Sequence, residues 1–128
     1  MRANFLKRVK RLLCSITIAV FFVSSAGAAE IAAQDAINHL LTFVETSRCT
    51  FKRNGVEYDS REAADHIKKK YNYFKGEIHT AEDFIALAAT KSELSGKPYW
   101  VRCGKGKEMR TADWLREELQ RQANKKER

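Results

Sequence analysis

Two histidine–carboxylate pairs with helical spacing are the first candidates for chemistry in this 128-residue chain. Glu62 and His66 lie four residues apart, as do Asp35 and His39, so each pair would share one face of a helix. Such a pair can supply part of a metal site or act as a general acid and base. A zinc site needs three or four ligands, whereas isolated pairs on solvated helix faces arise often by chance. We therefore expect neither a metal nor another cofactor.

Lysines alternate with aromatic residues in the stretch from His66 to Lys75. Such a mixture can hold phosphates and stack on rings, which makes Lys69, Lys70 and Tyr73 candidate binding residues. The alternative is a core-facing helix whose lysines lie in solvent, and the helical spacing of the apolar residues favours it. These apolar residues are Ile67, Tyr71 and Phe74.

The three cysteines divide into one near the N-terminus, Cys14, and two far apart, Cys49 and Cys103. A catalytic thiol must be a partly exposed, activated thiolate, yet both later cysteines alternate with apolar residues in strand-like segments. In an exported domain, two such cysteines most simply form one disulfide. Closing a loop of this length would stabilise the fold by about 4 kcal/mol.

Residues 1–29 have the three parts of a secretory signal peptide: a basic start, an apolar run from Leu12 to Val23, and small residues up to Ala29. The apolar run is shorter than the roughly 20 residues of a membrane-spanning helix. We expect cleavage after Ala28 or Ala29, with no integral membrane segment afterwards. The remaining residues, 30–128, suffice for one domain with a modest core.

Removing this segment changes the charge of the chain. The precursor carries a net charge of +8, but five of its 24 Lys and Arg and none of its 16 Asp and Glu lie in residues 1–29. The mature chain therefore has a net charge of +3 with interleaved acids. This balance argues against a nucleic-acid partner.

The elements that position these residues begin with a helix from about Ala32 to Thr46 and a hairpin from Cys49 to Tyr58. Asn54-Gly55 predicts a two-residue type I′ turn. That turn pairs Phe51 with Tyr58 on an apolar face and Lys52 with Glu57 on the opposite face.

A second helix is predicted to begin after Asp59, with Glu62 completing a capping box, and to end at Gly76. A third helix is predicted to begin at Thr80, to have an acidic first turn and to end near Ser92.

The second predicted hairpin has a three-residue loop, Gly104-Lys105-Gly106, with Gly106 in the left-handed region. This register pairs Val101 with Met109 on the inner side and Arg102 with Glu108 outside. Trp100 and Arg102 point outward together, and exposed aromatic and arginine side chains are common at interfaces, so both are candidate binding residues.

Thr111 is predicted to cap a last helix that carries Trp114, Leu115 and Leu119. The result is an α+β domain of four helices and two antiparallel hairpins, in the order helix, hairpin, helix, helix, hairpin, helix. The hairpins form either one antiparallel sheet or two adjacent units, with helices on one face. A Cys49–Cys103 bridge would join the first strand of each.

Several motifs in this order resemble the YfeK-like family of small exported proteins of Gram-negative bacteria, a domain of unknown function. They are Arg53-Asn54-Gly55 after Phe51, Ala63-Ala64 with His66-Ile67, Thr80-Ala81-Glu82-Asp83-Phe84-Ile85, and Ser95-Gly96-Lys97-Pro98-Tyr99 with Val101. The resemblance implies a single exported domain and supplies no catalytic or binding residues.

We therefore expect a non-catalytic periplasmic binding protein, with an envelope protein or an anionic envelope polymer as its partner. One specific form would be an inhibitor or immunity protein of an envelope enzyme. The alternative is a small envelope hydrolase or metal-dependent enzyme that uses His66 and Glu62.

Overall fold

Four helices and two β-hairpins follow one another in the predicted order in the computed structural model, which describes residues 25–128. A single 3-10 turn follows the second helix. The elements are α1 (Ser25–Thr46), β1 (Thr50–Arg53), β2 (Val56–Tyr58), α2 (Ser60–Phe74), the 3-10 turn (Lys75–Glu77), α3 (Ala81–Ala88), β3 (Trp100–Arg102), β4 (Met109–Arg110) and α4 (Thr111–Lys126).

Most of the predicted signal peptide, residues 1–24, lies outside the described residues. Its last part, residues 25–29, is helical and continuous with the rest of α1, so the cleavage position stays a prediction. Within residues 25–128, no helix combines the length and the apolar character that crossing a bilayer requires.

The first hairpin has the predicted register, with Phe51 opposite Tyr58 and Lys52 opposite Glu57. Asn54 and Gly55 both adopt positive φ angles, 52° and 78°, as a type I′ turn requires. Because this turn fixes the alternation, Cys49, Phe51 and Arg53 all face the same side of the sheet.

The two hairpins form one four-stranded antiparallel sheet with the strand order β2-β1-β3-β4. The first strands of the hairpins are neighbours, with Phe51 opposite Val101 and Thr50 opposite Arg102. Continuing this register by one residue places Cys49 opposite Cys103, and their Cα atoms lie 4.4 Å apart. The predicted disulfide is confirmed, and it closes one end of the junction between the hairpins.

The second hairpin has the predicted pairing of Val101 with Met109, but the predicted turn is wrong. Gly104, with a φ of 57°, is the left-handed residue, and Gly106 is not. The Gly106 N–H donates to the Cys103 carbonyl at 3.0 Å, so the chain reverses immediately after the disulfide. With two glycines in one loop, residue type alone did not identify the left-handed position.

The prediction that Thr111 caps α4 is also wrong. The residue before the helix is Arg110, which makes no capping hydrogen bond through its side chain. Thr111 instead extends the hairpin ladder, because its N–H donates to the Tyr99 carbonyl at 3.0 Å. That position turns the Thr111 side chain to the inner face, where it is almost completely buried.

The core lies between the inner face of the sheet and the helices. Its largest fully buried side chains come from α1, α3, α4 and β3: Leu40, Val44, Phe84, Ile85, Leu115 and Val101. Trp114 joins the layers, because its ring lies 4.4 Å from that of Phe43 on α1 and 5.6 Å from that of Phe51 on β1.

The outer face of the sheet carries charged side chains whose ion pairs differ from those predicted. Lys52 and Glu57 are opposite in register, yet Lys52 contacts Glu108 at 2.6 Å and Glu57 contacts Arg102 at 3.5 Å. Each contact spans the strand between its partners, because long side chains reach diagonally across a twisted sheet. Such exposed pairs contribute little to stability.

Candidate binding groove

An open groove of about 530 Å³ lies between helix α2 and the loop that joins α3 to β3. We call it the α2–loop groove. Its lining residues come from β1, from one face of α2 and from the tip of the loop: Arg53, His66, Lys69, Lys70, Tyr73, Phe74, Ser92, Glu93 and Leu94. The groove therefore gathers three of the five predicted binding residues, Lys69, Lys70 and Tyr73.

The rim of the groove is apolar and exposed. Leu94 is 100% exposed at the tip of the loop, and Tyr73 is 83% exposed on α2. The Tyr73 ring packs edge-on against that of Phe74, with 4.8 Å between the centroids. Two large apolar side chains on opposite walls of one groove form the kind of surface that marks interaction sites.

Lys70 forms the floor of the groove rather than its rim. It is only 9% exposed, and its Nζ donates to the Lys91 carbonyl at 2.6 Å and to Glu93 Oε1 at 3.2 Å. Burial lowers the pKa of Lys70, although the hydrogen bond and the charge of Glu93 oppose that effect. The interpretation of Lys70 as a solvated lysine is thus wrong, and its contacts attach the loop to α2.

Asn54, in the turn of the first hairpin, holds the loop from the other side. Its Nδ2 donates to Ser92 Oγ at 3.3 Å, and its Oδ1 accepts from Ser95 Oγ at 2.5 Å. The Gly96 N–H donates to the Ser92 carbonyl at 2.9 Å, and Gly96 has a φ of 69° that glycine adopts without strain. These contacts hold the chain on both sides of Leu94.

Arg53, His66 and Tyr99 form a hydrogen-bonded set at the inner end of the groove. Arg53 Nη1 lies 2.8 Å from His66 Nδ1 and 2.9 Å from His66 Nε2, and His66 Nε2 lies 3.0 Å from Tyr99 Oη. Because a guanidinium only donates, the imidazole nitrogen that accepts from Arg53 carries no proton. The imidazole in this arrangement is neutral.

Burial lowers the pKa of His66 to about 4, and the charges of Arg53, Lys70 and Lys69 add to the effect. Protonated His66 would lose its hydrogen bond from Arg53 and would add a fourth cation to the cluster. A ring with this pKa is unprotonated at neutral pH and is a weak general base.

We predict that stability falls as the pH is lowered from about 6.5 to about 4, because the unfolded chain binds the His66 proton in that window and the folded chain does not. Since the ring is only half-buried, we expect a loss of about 1–2 kcal/mol after discounting for solvent screening. Urea denaturation at a series of pH values gives the free energy of unfolding at each pH. This free energy should change less with pH in His66→Gln than in the wild type. The account is wrong if the His66 ring protons, followed by NMR, titrate near pH 6.5.

Glu62 does not act with His66 in this structure. Its Oε2 accepts from the Asp59 N–H at 3.0 Å, which completes the predicted capping box of α2. Across the described part of the chain, no three His, Cys, Asp or Glu residues gather as a metal site would require. His39, the other paired histidine, lies 2.7 Å from Glu118 Oε1 and so links α1 to α4.

A small, partly open pocket of about 30 Å³ shares two lining residues with the groove, Arg53 and His66. Thr111 also lines this pocket, and its buried hydroxyl has no hydrogen-bond partner among the described residues. A space of this size accommodates about one water molecule. The Arg53–His66 pair is therefore accessible from both the groove and the small pocket.

Trp100 and Arg102, the other predicted binding residues, lie on the outer face of the sheet and not in the groove. Arg102 pairs with Glu57, and the Arg110 guanidinium lies 5.9 Å from the centroid of the Trp100 ring. The two residues therefore belong to a separate surface.

Arg53 and Leu94 are among the groove residues that sequence reasoning missed, together with Ser92 and Glu93. The position of Arg53 could have been predicted, because the strand alternation that turns Cys49 and Phe51 to the inner face turns Arg53 to the same face. Leu94 lies in a loop without periodicity, so its sequence position did not indicate which surface it would join.

Comparison with known proteins gives a family but no activity. A family described as being of unknown function (DUF5329) matches residues 31–123. Over 93 residues the chain is 34% identical to a protein of Salmonella typhimurium strain LT2 described as "Uncharacterized protein YfeK", an alignment that covers 71% of this chain and 77% of that protein. No solved structure matches. The resemblance drawn from the motifs is thus confirmed, and the chain belongs to the DUF5329 family of unknown function.

Proposed function

We propose that this chain is a non-catalytic binding module of the periplasm and that the α2–loop groove is its binding surface. The observation that carries the proposal is the pair of exposed apolar side chains, Tyr73 and Leu94, on opposite walls of a groove whose interior is cationic. Aromatic and apolar anchors around a few convergent charged groups are typical of recognition sites.

The charges of the groove indicate the chemistry of its partner. Arg53, Lys69 and Lys70 contribute three cations, and Glu93 contributes one acid that is already paired with Lys70. A partner that combines an acidic group with an apolar one complements this lining. We therefore favour an envelope protein over a polyanionic polymer, whose repeated charges would meet the Glu93 carboxylate. An inhibitor or immunity protein of an envelope enzyme is one form of such a module.

Two observations support the periplasmic location. Residues 1–29 have the pattern of a cleaved export signal, and the Cys49–Cys103 disulfide suits an oxidising compartment. The bridge also keeps the two hairpins in a fixed relation, which suits a surface that binds without rearranging.

The proposal is tested by capture from the periplasm of cells that produce the full chain with a C-terminal affinity tag. We expect a protein partner whose recovery falls at least tenfold for the double variant Tyr73→Ser/Leu94→Ser, because each lost apolar anchor weakens binding by about 1 kcal/mol or more. The matched control is Ile31→Ser/Val56→Ser, which removes two exposed apolar side chains outside the groove.

Equal recovery by the wild type and both double variants would contradict the groove as the binding surface. Recovery of the chain from the cytoplasm with Met1 still attached would contradict the periplasmic location. A mature N-terminus at Ala29 or Glu30 is the expected result.

A further inference from the structure

Within the described residues, 25–128, Arg53 is a half-buried cation without an acidic partner. Every ion pair among residues 25–128 joins other residues, so no carboxylate of the described chain lies within 4.0 Å of its guanidinium. A charge removed from water usually has an opposite charge beside it, because desolvation is otherwise costly. Lys70, the other buried cation of the groove, follows this rule through Glu93.

The contacts of Arg53 hold its guanidinium in place without neutralising it. Nη1 donates to His66 and Nη2 donates to Tyr58 Oη at 3.1 Å, and both acceptors are neutral. The guanidinium also lies over the Tyr58 ring, 5.0 Å from its centroid. A guanidinium has five N–H donors in a planar fork, so donors remain for a further ligand. The side chain is thus positioned in advance for an anion.

The surroundings of Arg53 are positive as well. Lys69 is exposed on the same lining and makes no ion pair among the described residues. The pKa of His66 is depressed in part by Arg53, Lys70 and Lys69, so all three charges act at this end of the groove. A positive potential inside a concave, partly desolvated site favours an anionic ligand.

We propose that Arg53 is a carboxylate-binding residue at the inner end of the α2–loop groove, and that its ligand is a single carboxylate of a protein partner. The planar fork of Arg53 fits a carboxylate with two parallel hydrogen bonds. A neighbouring apolar side chain of the partner would contact Tyr73 and Leu94 at the rim. The inference deepens the proposed function, because it rests on the same groove.

The test is an NMR titration of the full mature protein, disulfide intact, with three small probes. N-acetyl-leucine supplies a carboxylate beside an apolar side chain, N-acetyl-leucinamide supplies the same side chain without the charge, and inorganic phosphate supplies a different oxyanion. We expect N-acetyl-leucine to shift the amide signals of Arg53, His66, Lys69 and Leu94 in a saturable way. The amide probe should bind at least tenfold more weakly.

Single substitutions then test which cationic residue binds the carboxylate of the probe. Arg53→Gln should weaken binding of N-acetyl-leucine at least tenfold, because it removes a charge-assisted bidentate pair. Arg116→Gln removes an exposed arginine of α4 outside the groove, and it should leave the affinity unchanged. Lys69 is exposed, so Lys69→Gln should change stability little. It should weaken binding about threefold, because it lowers the positive potential of the groove.

Three results would overturn the inference: equal binding of N-acetyl-leucine and its amide, unchanged affinity in Arg53→Gln and Lys69→Gln, or stronger shifts with phosphate than with the carboxylate. The last result would assign the site to a phosphate-bearing ligand. Failure here is distinct from failure of the proposed function. A periplasmic partner that requires Tyr73 and Leu94 but tolerates Arg53→Gln would refute the carboxylate site and leave the binding module intact.

Discussion

Replacing Cys49 and Cys103 together by alanine should lower the free energy of unfolding by about 4 kcal/mol. The two residues are 54 positions apart, so their bond removes a large amount of chain entropy from the unfolded state. A domain of this size has a total stability of about 5–15 kcal/mol, so the loss is a large share. Urea denaturation followed by circular dichroism measures it.

The control is the wild type with its disulfide reduced by dithiothreitol, which should unfold at nearly the same urea concentration as the double variant. If the reduced wild type and the double variant unfold at the same urea concentration, the loss of stability comes from the missing cross-link and not from the change of side chains. A loss below 1 kcal/mol in both samples would show that the hydrogen bonds between β1 and β3 hold the hairpins together without the bridge.

Replacing Phe84 by alanine should cost about 3–5 kcal/mol. The side chain is completely buried on α3, and its ring lies 5.6 Å from that of Tyr71 on α2, edge to face. The substitution removes this contact and leaves a cavity where α3 packs, which the surrounding helices can fill only in part. Urea denaturation of the wild type and of Phe84→Ala gives the difference in their free energies of unfolding.

Leu94→Ala is the matched control, because it also truncates a large apolar side chain but at a fully exposed position. We expect it to change stability by less than about 0.5 kcal/mol. Equal effects of the two substitutions would contradict the assignment of Phe84 to the core and of Leu94 to the rim.

Local signals were sufficient for much of the fold. The Asn54-Gly55 turn fixed the register of the first hairpin, and the capping residues Asp59 and Thr80 located the beginnings of α2 and α3, since each acts within four residues. The disulfide was predicted because Cys49 and Cys103 are the two cysteines after the predicted signal peptide, and the alternation placed both on the apolar side. The turn and the two helix caps depend only on neighbours in sequence.

The errors came from contacts between distant residues. Thr111 has the residue type of a helix cap, but the hydrogen bond to Tyr99 makes it part of the sheet. Lys70 is buried because the loop after α3 returns over α2, and no pattern in α2 indicates where that loop goes. The groove itself is formed by three separate segments, so its cationic interior could not be recognised from the lysines of α2 alone.

The most direct test of the groove as a binding surface is site-specific photo-crosslinking in intact cells. A photoreactive residue is placed at position 94 in one variant and, as a control, at position 56, which is also exposed and apolar but lies outside the groove. We predict a discrete adduct with one periplasmic protein from position 94 only, reduced at least tenfold by Arg53→Gln. Absence of any adduct from position 94, or the same adducts from both positions, would contradict the account.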